Sequence, residues 1–104
     1  MRVLFERTGG FAGRTLRSEV DCARLPAGEA LRLEEIVRQA GFFELPGRMS
    51  APGPGADRFR YRVTVESEHD THTVVMDESA VPPSVRPLLD FFRISAKNDL
   101  RRKH

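Results

Sequence analysis

Apolar positions recur every second residue at the start of the chain, where Val3 and Phe5 alternate with charged neighbours in RVLFERT (2–8) and Leu16 and Val20 do so in RTLRSEVD (14–21). Alternation of this kind marks half-buried strands, and the intervening Gly9-Gly10-Phe11-Ala12-Gly13 predicts a hairpin. The period then changes. After Pro26, the residues Ala30, Leu33, Ile36, Val37 and Ala40 follow three- and four-residue steps until Gly41, which predicts a helix over 26–40 with a left-handed stop. Phe42, Phe43 and Leu45 form a short apolar run closed by Pro46, and the Gly/Pro-dense 47–57 (GRMSAPGPGAD) reads as an irregular loop.

Alternation returns most strictly over 58–66, with Phe59, Tyr61, Val63 and Val65 on one face and Arg58, Arg60, Arg62 and Thr64 on the other. A polar Ser67–Asp70 turn leads to a strand over 71–77, whose His72, Val74 and Met76 share its inner face. Beyond Pro82-Pro83, the spacing of Val85, Leu88, Leu89, Phe92 and Ala96 predicts a second helix over 84–97. The order is strand, strand, helix, strand, strand, helix. Each strand offers one apolar side and each helix one stripe, so the expectation is an α+β domain: a four-stranded, mainly antiparallel sheet with both helices on one face. Residues 1–97 form that single domain, and 98–104 form a basic tail that frays.

Composition narrows the function classes. At 104 residues the chain suits one core, and 39% hydrophobic with 31% charged residues fits a well-solvated globule. The net charge of +2 is a small arginine excess and a weak argument for nucleic acid. Cys22 is the only cysteine, so no internal disulfide and no cysteine-based zinc cage can be built. The opening apolar run of three residues falls far short of the about 7–15 of a signal-peptide core. No stretch approaches the about 18 apolar residues of a membrane span, so the protein is expected in the cytoplasm.

Little here resembles catalytic machinery. His69 and His72 stand three apart, which on a strand points them to opposite faces and prevents joint metal ligation. Cys22 reads as a small buried thiol, and Glu34-Glu35 and Asp77-Glu78 as solvated carboxylates. The glycine-rich segment joins two strands and lacks both the spacing and the following helix of a phosphate loop. Its functional reading is different: Phe11 at a hairpin tip, flanked by glycines that let a partner approach the backbone, suits a binding anchor. Phe91, Ile94 and the loop at 47–56 are candidates for a flanking patch. The stripe of Arg58, Arg60 and Arg62 supports an alternative, a nucleic-acid-binding module, although it lacks interleaved aromatics.

Taken together, RVLFERTGGFAG, LPAGEALRLEEIVRQAGFFELP, ADRFRYRVTVE with THTVVMDE, and VPPSVRPLLDFF resemble the emfourin family, small bacterial inhibitors of protealysin and related thermolysin-like proteases. The similarity extends over roughly residues 2–96. It implies tight binding to a folded thermolysin-like metalloprotease of the same bacterium, kept in check inside the cell. The residues themselves lead to no enzyme, cofactor, metal or membrane partner and weigh against nucleic acid. The resemblance assigns no contact residues. From the residues themselves, the protease-binding segment is expected at Gly9, Gly10, Phe11, Ala12 and Gly13, with the phenyl ring in an apolar pocket beside the zinc. Free of its target, the chain is expected to be a monomer.

Overall fold

A computed structural model describes residues 1–9, 15–50 and 59–92. Two strands open the fold, β1 (Arg2–Gly9) and β2 (Leu16–Asp21), followed by helix α1 (Ala27–Gln39), a two-residue strand β3 (Arg48–Met49), β4 (Phe59–Glu66) and β5 (Thr71–Asp77). Helix α2 runs through 86–92, where the described residues end. Ala96 and the tail at 98–104 lie outside them.

The sheet order is β2-β1-β4-β5-β3. The β1–β2, β1–β4 and β4–β5 ladders are antiparallel, with Val3 opposite Val20 and Val65, and Val63 opposite both Phe5 and Val74. Strand alternation therefore brings Val3, Phe5, Tyr61, Val63, Val65, Val74 and Met76 onto one face, and all are buried. Leu33 and Val37 of α1 and Leu88, Leu89 and Phe92 of α2 close over that face in one continuous core. The Phe92 ring stacks on Phe5 at 4.9 Å between centroids, and Phe5 in turn meets Tyr61 at 5.9 Å. No polar or charged residue is buried among those described.

Local chemistry sets the ends of the elements. Asp21 Oδ1 accepts the Ala23 N–H at 3.0 Å and turns the chain out of β2. Gly41 sits at φ 60°, a left-handed conformation that stops α1.

One expectation is corrected. The sheet has five strands and is mixed, because Arg48–Met49 runs parallel to β5 where the sequence reads as irregular loop. The outward N–H of Val75 needs an acceptor, and Gly47 O supplies it at 2.9 Å. Nearby, His72 Nε2 donates to Leu45 O at 2.7 Å, and Met49 packs against the core. Backbone demand from β5 thus orders a segment whose composition favours none.

Phe92 is 1% exposed and joins helix to sheet. Phe92→Ala should destabilise the fold by about 3–5 kcal/mol, measured by urea denaturation; a loss below about 1 kcal/mol would contradict the packing described.

Candidate functional site

β1 ends at Gly9, which adopts φ 102°. Side chains strongly disfavour that conformation, so a glycine is required where the chain leaves the sheet. Gly9 is still in register, opposite Phe59 at the start of β4, while the last β1–β2 pair is Arg7 with Leu16. Arg7, Gly9, Leu16 and Phe59 therefore frame the sheet end from which the hairpin loop departs. Odd-numbered β1 residues share the inner face, so Arg7 follows Val3 and Phe5, and its guanidinium lies 4.6 Å from the Phe59 ring centroid. This cation–π contact braces the base of the loop across two strands. Gly10, Phe11, Ala12 and Gly13 lie outside the described residues.

The flanking candidates separate. Phe91 is 8% exposed and meets Phe92 edge-on at 5.7 Å, so it belongs to the core and offers nothing to a partner. The second helix buries a broader stripe than its main apolar positions suggest. Ile94 and 51–56 lie outside the described residues, and 47–50 belong largely to the β3 region.

The arginine stripe is on the outer sheet face, with Arg58 outside the described residues. Arg60 Nε pairs with Asp77 at 3.2 Å, and Arg62 stands opposite Glu6 in the β1–β4 ladder. Arg2 bridges Glu19 at 3.3 Å and Glu66 at 2.9 Å, and Arg17 pairs with Glu6 at 3.1 Å. Carboxylates thus answer the arginines across the face, and no aromatic of the described strands lies among them. This charge balance disfavours a phosphate track.

The remaining titratable candidates have structural places. His72 is held by the Leu45 carbonyl and lies edge-on to Phe42 at 5.7 Å, whereas His69 is on the exposed turn, 4.0 Å from Glu68. Among the described residues, no group of three His, Cys, Asp or Glu side chains could hold a metal ion. Cys22 is buried, and desolvation pushes its thiol above the ordinary range, which suppresses the nucleophilic thiolate. Among the same residues, no helix is long and apolar enough to cross a membrane.

The described residues thus give the inner sheet face to packing and the outer face largely to paired charges. The emfourin family model matches residues 5–93, from the middle of β1 to just past the last described residue of α2. The chain belongs to the emfourin family. Emfourins are a family of metalloprotease inhibitors, so membership accords with a non-enzymatic binding role and a protease partner. The match covers nearly the same span as the motif resemblance and includes the Gly9–Gly13 segment. No curated protein and no solved structure matched the chain.

The Arg7–Phe59 brace was not anticipated, although strict alternation past Phe5 already places Arg7 on the inner face. Gly9→Ala should lower stability by about 1–3 kcal/mol through strain at positive φ, read as a shift in the urea midpoint; an unchanged midpoint would mean that Gly9 has another conformation. Native Cys22 should resist iodoacetamide at neutral pH and react quickly in denaturant, as counted by mass spectrometry; equal rates in both would contradict its burial.

Proposed function

We propose that this emfourin inhibits a thermolysin-like zinc metalloprotease of its own bacterium, inside the cell, by inserting the Gly9–Gly13 loop into the active-site cleft with Phe11 in an apolar pocket. The observation that supports this most is Gly9 at φ 102° while still paired with Phe59. The loop begins from a strand that stays paired with β4 through Gly9 after its pairing with β2 has ended at Arg7, so one side of its base is fixed before any partner arrives. Pre-organisation of that kind reduces the ordering cost of binding.

Magnitudes limit what the loop can do alone. Burying one aromatic ring contributes about 1.5–3 kcal/mol, whereas nanomolar affinity needs about 12 kcal/mol. A flanking surface must supply the difference. Residues 51–58 directly precede Phe59, the register partner of Gly9, which makes them the candidate for that surface. They are a better source of flanking contacts than the buried face of α2.

Gly9–Gly13 contains neither thiol nor carboxylate, so the mechanism is obstruction of the cleft without a side-chain ligand to zinc. Substrate is excluded because the inhibitor's loop and its surroundings occupy the approach to the metal.

Incubation of the purified chain with thermolysin-like proteases, one of them from the native host, should abolish peptide hydrolysis; undiminished hydrolysis by all of them would reject the proposal. Phe11→Ala should weaken inhibition by about 10- to 200-fold, the cost of one apolar pocket, with an unaltered thermal melt. Equal potency of this variant would move the contact away from Phe11.

A further inference from the structure

The two edges of the sheet differ. β3 is two residues long and too short to template another strand, whereas β2 offers six residues on the other side. Cys22 N–H donates to Met1 O at 3.0 Å, which extends the β1–β2 ladder by one pair and fixes its parity. In an antiparallel ladder the hydrogen-bonded pairs alternate, so Val20, Ser18 and Leu16 direct their backbone groups toward β1. Arg17 and Glu19 direct theirs to the open edge. Their side chains lie on the outer face and remain 77% and 54% exposed, and Leu16 on the inner face is 40% exposed.

We propose that β2 is a homodimerisation edge, pairing antiparallel with β2 of a second copy about a two-fold axis through Ser18. In this register Arg17 of each copy is opposite Glu19 of the other, and these residues carry outward N–H and C=O groups that no strand of the described residues pairs with. Leu16 meets Val20 of the second copy on the inner face, and the two Ser18 residues face each other at the axis as a non-hydrogen-bonded pair.

Charge selects this register. Moving the axis by one residue in either direction keeps the backbone bonding but places Arg17 opposite Arg17 or Glu19 opposite Glu19. Like charges directly opposed are destabilising. Within one chain, Arg62, Glu6 and Arg17 already form a row of alternating sign across β4, β1 and β2. Glu19 of the second copy continues that alternation. Charged edges commonly protect a sheet from association, but here opposite signs two residues apart are self-complementary about a dyad.

The expectation of a free monomer takes no account of this edge. Dimerisation keeps the bases of the two proposed protease loops apart: the strands run in opposite directions, so the two Thr15 residues are about 20 Å apart. The inference does not depend on protease inhibition.

Sedimentation equilibrium of the full chain from low micromolar concentration upward should show a reversible monomer–dimer equilibrium, and a monomer at every concentration would overturn the proposal. Arg17→Glu and Glu19→Arg, each with a melt like that of the parent, should weaken self-association by at least about 10-fold through like-charge opposition. Mixing the two variants should restore a dimer, because the edge of the first then presents only carboxylates at positions 17 and 19 and the edge of the second only guanidinium groups. Wild-type association by either variant, or failure of the mixture to associate, would overturn the pairing. Ser18→Cys should form a disulfide-linked dimer on mild oxidation, since opposed Cα atoms in a non-hydrogen-bonded pair are about 4.5 Å apart. Faster cross-linking by Arg17→Cys would overturn the register.

Discussion

The antiparallel register between β1 and β4 is the constraint on which the rest of the molecule depends. Phe5 opposite Val63 and Val3 opposite Val65 keep the apolar sets of the two strands on one face. A slip of one residue would carry Arg60 and Arg62 beneath the helices and turn Val63 and Val65 toward water. The helices reinforce the choice, since Phe92 stacks on Phe5 and Leu33 completes the same buried cluster. The same register sets Gly9 against Phe59 at the sheet's end. Core packing therefore determines where the loop starts.

The two faces of the sheet have different energetics. The inner face supplies the hydrophobic stabilisation, which grows with apolar area removed from water. Exposed ion pairs such as Arg17 with Glu6 contribute only about 0–1 kcal/mol each, so the outer face does little to hold the fold. Its effect is on recognition. Interleaved arginines and carboxylates cancel the field that a basic stripe would project, which leaves the ends and the β2 edge as the surfaces with recognition potential.

Much of this architecture is legible in the amino-acid order because the strongest periods coincide with the best-packed elements. The alternation from Phe59 to Val65 survives in β4, and the three- and four-residue steps before Gly41 become α1. β3 escapes such reading for a physical reason: two residues contain no period, and Arg48–Met49 is ordered by backbone acceptors that β5 demands from a distance. Phe91 escapes for another, since a helix covering a twisted sheet buries residues beyond its central stripe. At the candidate site, the requirement for glycine at position 9 could be inferred from the hairpin, and Arg7 could be assigned to the inner face by counting. Its placement over Phe59 needs the pairing of β1 with β4, which local sequence does not encode.

β2 connects the two proposed recognition surfaces. It forms one stem of the hairpin and also the longer free edge, so its outward backbone groups and its loop belong to the same short element. The two uses draw on different parts of β2: pairing extends the sheet laterally through Arg17 and Glu19, while the loop joins the strand at its Thr15 end. A second copy on the edge would also constrain the β2 stem without occupying the end framed by Gly9 and Phe59. Any coupling between self-association and protease binding must consequently act through the order of β2 itself, and linkage requires that each event affect the other by the same free energy.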